Sequence, residues 1–469
     1  MSDVASPNVP VPDAQPSSSL RRELAALVAL ALPLAAVQLG NHLMGFVDVL
    51  YAGRLGKIGL AGTGIGNGIY FAVSVVGIGI VLGLDPLASQ AFGAGRPRHA
   101  RQSMWQGLYT AALVTLPLCV LIIGLSLSLE RFGVVPEAAQ TARTYVFARL
   151  PSLVLLLWAV ALRSYLQAAH VGFPILLATV LANLANAAAG WALAFGDAGL
   201  VRLGLPALGL PALGVRGLGL AATAASGTQL ALFALVVRFV PVGAGDEPVR
   251  RFDAAAVRRI LVLGTPIGLM MAAETGVFAL AQVLIGGMAV YASGAHQVAL
   301  QYASLTFSVC IGIGAATSVQ VGRAVGAGDE AATRRAGLMG IGLGASFMAL
   351  AGVVIAAAPG VLARFVTLEP EVVPMAVTLL RIAAVFQLFD GIQAVSAGAL
   401  RGAGDTTWAF AANVVAHWII GLPVGLALGY AAHMGAPGLW WGLTTGLIAV
   451  ALALAGKFVV LSRGRIAAL

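Results

Sequence analysis

From residue 22 onward the chain alternates long apolar runs with short turns in which Arg, Gly, Asp and Pro collect. The runs fall near 24–51, 58–88, 102–126, 142–167, 173–196, 217–240, 257–289, 293–321, 334–360, 374–400, 407–432 and 438–460. Each has the length, about 20 residues or more, that a helix needs to cross the hydrocarbon core of a bilayer. The pattern predicts an all-α polytopic membrane protein with twelve transmembrane helices. One connection, DAGLVRLGLPALGLPALGVR at 197–216, is apolar enough to lie in the interface or to hide part of a span.

The apolar pattern also repeats. Pro33 in LALPLAAVQLG superposes on Pro266 in LGTPIGLMMAA, an offset of 233 residues (266 − 33), and the same offset lays QAFGAGRPRHARQ from Gln90 on RAVGAGDEAATRR from Arg323. Further along, SYLQAAHVG aligns with GALRGAGDT, and GVRGLGLAA with GAPGLWWGL. Each half therefore carries six spans. An even number gives the halves the same orientation, related by an axis along the membrane normal, with a central cavity between two lobes. The expected division is a disordered cytoplasmic tail at 1–21, an N-lobe at 22–240, a cytoplasmic linker at 241–256 and a C-lobe at 257–469.

Composition agrees with a membrane solvent: 59% of residues are hydrophobic, 10% are charged, and the mean hydropathy is +0.95. Fifty-nine glycines suit close helix approach in lipid, where small residues let backbones touch. The net charge of +9 needs no nucleic-acid partner. With both termini on the cytoplasmic side, 18 of the 27 basic residues collect in inner turns and 9 outside, the bias of the positive-inside rule. The N-terminal twenty residues lack the basic start and apolar core of a cleaved signal. Cys119 and Cys310 both lie in apolar runs and build no disulfide framework or metal-ligand spacing.

Against this background the acids stand out. Glu274 and Asp390 sit inside apolar runs, about 22 Å of helix past Arg259 and about 16 Å before Arg401, close to the bilayer middle. A carboxylate at that depth is costly and marks ion or substrate handling. The repeat sharpens this, because Glu274 corresponds to Asn41 and Asp390 to Leu156, so both acids belong to the C-terminal half alone. Asp48, six residues before Arg54, either reaches water at the outer end of the first span or serves the N-lobe. Asp85 reads as an interfacial acid or local cap, and Asp329-Glu330 as a helix N-terminal pair. Asn41, Asn183, Asn186 and His417 fit interhelical hydrogen bonds. Trp105, Trp191, Trp408, Trp440 and Trp441 fall near span ends, as in an interfacial belt, while Trp158 lies deeper, lining the N-lobe cavity or packing. The glycine run GTGIGNG lies in an apolar helix with no phosphate-binding lysine, so no ATP site is present and energy must come from an ion gradient or a separate partner.

The combination of motifs resembles the multidrug and toxic compound extrusion (MATE) antiporters, most closely the bacterial branch typified by sodium-coupled multidrug pumps. It is carried by Pro33 with Val47, Asp48, Ala52 and Gly53; by Gly264, Pro266, Gly268 and Glu274; by Ala295-His296-Gln297-Val298 and Val321-Gly322-Arg323 with Gly326; and by Asp390, Gly398 and Leu400-Arg401-Gly402-Ala403-Gly404-Asp405. The resemblance implies that Glu274 and Asp390 hold the coupling cation, Na⁺ or H⁺, with Phe386 one turn before Asp390 offering its ring. It further implies that Asp48, with Asn41 and Asn183, forms an N-lobe protonation or substrate site, and that Gln297 and Trp158 face a substrate cavity. The expected function is export of cationic or amphipathic organic compounds by alternating access, without cofactor or enzymatic activity, by a monomer in a bacterial inner membrane with both termini cytoplasmic. The alternative is a lipid-linked oligosaccharide or lipid flippase of related architecture. It would need a more basic cavity, whereas the basic residues here are expected mostly at loop edges.

Overall fold

A computed structural model describes residues 20–202, 204, 206–242 and 250–469. The expected tail at 1–21, apart from its last two residues, and the middle of the expected linker lie outside the described residues. In chain order the helices are α1 (Leu20–Arg54), α2 (Gly56–Val81), α3 (Leu84–Gly93), α4 (Pro97–Leu127), α5 (Pro136–Arg149), α6 (Ser152–Ala168), α7 (Phe173–Arg202) and α8 (Val215–Arg238). They continue with α9 (Ala254–Gly286), α10 (Val290–Ala327), α11 (Glu330–Ala357), α12 (Pro359–Val366), α13 (Val372–Ala403), α14 (Thr406–Val414), α15 (Leu422–Leu426) and α16 (Ala436–Leu461). Among the described residues eleven helices are long and apolar enough to span a membrane, counting α2 with α3 and α14 with α15. The pair α5 and α6, bent by 47°, supplies a twelfth span. The twelve spans form two six-helix lobes.

Local chemistry explains where the helices begin and break. The side chains of Asp253, Asp329 and Asp405 accept backbone N–H groups at the starts of α9, α11 and α14, satisfying donors that a helix leaves open. The expected role of Asp329 is therefore observed. Pro151 sits at the α5–α6 bend. Within the apolar 197–216 segment, α7 runs on to Arg202 past a break at Gly196, φ 58°, residues 206–213 are irregular, and the Asp197 carboxylate accepts N–H groups from Leu208, Gly209 and Leu210.

The repeat is written into backbone geometry. Gly95 and Gly328, at the offset of 233, end their helices in the left-handed region at φ 68° and 72°. His170 and Gly404, matched by the second alignment, share positive φ of 61° and 88°, and Gly214 and Gly435, matched by the third, start α8 and α16 at φ 56° and 63°.

The lobes meet along α1 against α10, α2 against α9 and α3 against α10. A β-carbon added to Gly264 would lie 1.8 Å from the Ile80 carbonyl oxygen, and one on Gly79 would lie 2.3 Å from Cα of Gly268. The repeat-related contact of Gly312 with Ala35 is as close, 2.4 Å from the Ala35 nitrogen. Gly93 meets the Arg323 carbonyl while Gly326 meets that of Gln90, and the two contacts exchange under the repeat operation. This seam therefore has an approximate two-fold axis, as the even number of spans per half requires. It is lined by Leu27, Leu30, Ile313, Ala316 and Val319, which pack between the lobes.

Candidate cation and substrate sites

In the C-lobe a cavity of about 440 Å³ is lined by Glu274 from α9, by Phe386, Asp390, Gln393 and Arg401 from α13, by Thr406 from α14 and by Trp440 from α16. Helical spacing accounts for the α13 contribution, since positions 386, 390, 393 and 397 fall on one face. Asp390 is buried and Glu274 half-buried, and both carboxylates line this one cavity. Among the described residues neither carboxylate makes an ion pair. Gln393 and Asn413 turn their amides toward Glu274, yet both polar atoms of the Asn413 side chain and Oε1 of Gln393 lack a hydrogen bond of normal geometry. Such orphaned groups are rare in a packed interior and mark room for a ligand. Two carboxylates and an amide oxygen facing one space can take up a proton or a hard cation such as Na⁺.

Behind the acids stands an aromatic wall. The ring of Phe386 meets Phe278 and Trp440 edge-on at 6.1 and 5.8 Å, and Trp440 donates its indole N–H to Nδ1 of the buried His296 at 3.0 Å. Trp440 was expected in an interfacial belt; it is instead fully buried, because the tight start of α16 at Gly435 carries this helix directly into the lobe core.

The N-lobe holds a second cavity, of about 360 Å³, whose lining includes Asp48, Asn41, Asn183, Arg149 and Arg163. Asp48 accepts a hydrogen bond from Nδ2 of Asn186 at 2.8 Å, which ties α1 to α7 at the cavity lining. Asn183 donates to the Gly40 carbonyl at 2.9 Å, tying α7 to α1, and Asn41 bonds Gln38 on its own helix. Phe71 of α2 lines both cavities and is their shared wall.

Other expected residues stand apart. Gln297 is exposed and donates to Gln282 at 2.9 Å, outside the lining of both cavities. Trp158 also lies outside both linings, its indole N–H bound to the Leu108 carbonyl at 3.1 Å. Asp85 differs from its reading as an interfacial acid or cap: it is buried and faces Arg401 of the opposite lobe, Nε to Oδ2 3.6 Å. The expectation that basic residues stay at loop edges is also corrected. Arg149, Arg163 and Arg401 line cavities, and Arg149 stands beside the bend between α5 and α6.

Sequence reasoning missed Gln393, Asn413, Trp440 and the cavity arginines. Gln393 had a signal, its place three residues after Asp390 on the same helix face. Asn413 had none, since its helix is joined to α9 only through tertiary packing.

The MatE family profile matches this chain twice, at residues 33–192 and 266–427, starting at the two repeat-related prolines. The chain is 34% identical over 456 residues to the probable multidrug resistance protein NorM of Bradyrhizobium diazoefficiens, covering 96% of each chain. It is 33% identical over 465 residues to the multidrug resistance protein NorM of Burkholderia vietnamiensis, again covering 96% of each. Among solved structures, the eukaryotic MATE transporter AtDTX14 superposes with a TM-score of 0.82 at 22% identity, covering 95% of this chain and 98% of that one. A mutant of the Vibrio cholerae MATE transporter VcmN gives 0.83 at 18% identity, covering 95% and 99%.

Proposed function

Because the chain belongs to the MatE family, and is therefore a multi-pass membrane transporter and not an enzyme, we propose that it exports cationic or amphipathic organic compounds in exchange for Na⁺ or H⁺. The lobes at 22–240 and 257–469 act as the two moving bodies, joined by the 241–256 linker. The protein works as a monomer in the bacterial inner membrane with both termini cytoplasmic. The single observation that carries the reading is the pair of carboxylates Glu274 and Asp390, which make no ion pair among the described residues and line one C-lobe cavity with orphaned amide groups beside them. Cation uptake there supplies binding energy that differs between the two states, which is what shifts an alternating-access equilibrium. Asp48, Asn41 and Asn183 form the N-lobe protonation or substrate site, Phe386 faces the cation, and Gln297 and Trp158 meet substrate in other states of the cycle. No cofactor takes part.

The test is drug-for-cation exchange in proteoliposomes with Na⁺ and pH gradients imposed separately. Glu274→Gln and Asp390→Asn each abolish exchange while leaving a monodisperse, folded protein; full exchange in Glu274→Gln would sink the assignment. The second reading, a lipid or lipid-linked oligosaccharide flippase, draws support from Arg149 and Arg163 in the N-lobe cavity. It predicts headgroup translocation with no gradient-driven dye movement.

A further inference from the structure

We propose that the segment after α16, residues 462–469, is a strap that holds the seam between the lobes shut, with Gln90 of α3 as its catch. The inference deepens the alternating-access reading above and rests on it. The strap is seated on the C-lobe. The Ser462 N–H closes α16 on the Phe458 carbonyl at 2.9 Å, Ile466 packs against the C-lobe core, and Leu469 lies over Gly404 at the end of α13, its Cδ1 3.1 Å from where a β-carbon on that glycine would stand. From there it reaches the other lobe. The Leu469 backbone N–H donates to Oε1 of Gln90 at 2.7 Å, and Nε2 of the same amide donates to the Gly402 carbonyl at 3.1 Å. One N-lobe side chain, 3% exposed, is thus held by two backbone groups of the C-lobe.

The repeat shows why this residue is a glutamine. Gln90 corresponds to Arg323, and Gly402 to Ala168. Arg323 donates to the Ala168 carbonyl at 3.2 Å, so the seam contains the same donor-to-carbonyl contact twice, once in each direction. A guanidinium has no acceptor, whereas the amide has one, and that oxygen is where the strap is caught. The residue type at 90 therefore makes a two-fold seam one-sided. With the seam shut, Gln90 is out of water and its oxygen depends on the Leu469 N–H; a buried acceptor left without a donor is costly. With the seam open, water serves both groups. The strap accordingly favours the shut state, and its grip on Gln90 is a single hydrogen bond, weak enough to be released in every cycle.

Ser89, next to the catch, is the reporter. It is 0% exposed, and its Oγ lies 2.0 Å from where a β-carbon on Gly322 of the opposite lobe would stand, so a thiol there meets reagent when the lobes part. The full-length protein carrying Ser89→Cys and Cys119→Ala is treated with a maleimide, and the rates at position 89 and at Cys310 are read separately by peptide mass spectrometry. Cys310 is buried, with its sulfur against the Gly344 carbonyl of its own lobe, and reports loosening of the fold. Leu469→Pro removes the N–H donor; the rate at position 89 rises by about fivefold or more, the scale of one buried hydrogen-bonding group left unpaired, while that of Cys310 stays the same. Deletion of residues 464–469 also accelerates position 89. Leu469→Ala keeps the donor and trims a side chain that is 44% exposed, so its rate stays within about twofold of the parent. No acceleration in either Leu469→Pro or the deletion, an equal acceleration at Cys310, or an equal effect of Leu469→Ala overturns the proposal. Dye efflux by the wild type in proteoliposomes is measured alongside: efflux with an unresponsive seam overturns the strap alone, and absence of efflux overturns the transport reading and the strap with it.

Discussion

Gln393 and Asn413 decide how Glu274 is presented, because they are the side chains that turn toward its carboxylate. In the state described, Asn413 completes no hydrogen bond of normal geometry and Oε1 of Gln393 has no donor, although both residues are buried. On the proposed coupling role, an amide oxygen left open beside two carboxylates would serve as a ligand for the incoming cation, or as a partner that orients the protonated acid. Gln393→Leu keeps the volume and removes that oxygen. Loss of one hydrogen bond to a charged group is worth about 1.5–3 kcal/mol, so the Na⁺ or H⁺ concentration giving half-maximal dye efflux should rise by about tenfold or more. Saturating gradients should recover most of the wild-type rate. An unchanged half-maximal concentration would remove Gln393 from the site. Glu274 and Asp390 were legible in the sequence because the cost of a mid-membrane carboxylate leaves few alternatives. Arg149 was not, since an arginine at a span end ordinarily snorkels to water, and the bend beside it at Pro151 is a tertiary feature.

The helices that carry these residues are spaced by glycine. On the α14–α15 span, Gly421, Gly425 and Gly429 form one stripe, and on α16 Gly438, Gly442 and Gly446 form another, running antiparallel. A β-carbon at Gly442 would lie 2.2 Å from Cα of Gly425, and one at Gly438 would lie 2.5 Å from the Gly429 nitrogen. The four-residue spacing was visible in GLPVGLALG and GLWWGLTTG, and close approach in lipid was the reason given for so many glycines. What could not be read was the partner of each stripe, or the π-helical turns at Val415–Gly421 and Ala427–Ala431 that keep the glycines facing α16 around Pro423. This packing sets how far α14, which brings Thr406 and Ala409 to the C-lobe cavity, stands from α16, which brings Trp440 to it. Gly442→Val forces the two backbones apart. The expected cost is about 1–3 kcal/mol or more, seen as a lower melting temperature in detergent. The conservative Gly456→Val, on the same helix with open space beside it, should leave the melt unchanged. Equal melts for both variants would mean that the stripe is not under packing constraint.

At the scale of the whole molecule, the polar contacts between lobes gather at the face that carries the arginine-rich turns. Asp85 meets Arg401, Nε2 of Gln90 donates to the Gly402 carbonyl at 3.1 Å, Arg323 donates to the Ala168 carbonyl at 3.2 Å, and Arg335 pairs with Glu23 at 3.1 Å. The glycine contacts of α2 with α9 and of α3 with α10 are part of the same seam, so this face is closed by backbone packing as well as by charge. The alternating access proposed above would require the seam to open once per cycle, and the ion pair is its most asymmetric element. The repeat gives no counterpart to Asp85, since position 318 is Ser, and Arg163 lies near it as a second cation. Removing the acid leaves two arginines facing each other in a buried place, and losing one partner of a buried pair costs about 3–5 kcal/mol. Asp85→Asn should therefore destabilise the closed seam strongly. Spin labels on Arg96 and Glu330, exposed positions in the turns of the two lobes, should report a longer separation in that variant, with slower dye efflux. Arg401→Gln should do less, because Arg163 remains available to Asp85. The exchange Asp85→Arg with Arg401→Asp should restore the short separation only in part, for the new arginine on α3 would itself face Arg163. An unchanged label separation in Asp85→Asn would mean that helix packing alone keeps the seam shut and that the charges there serve another step.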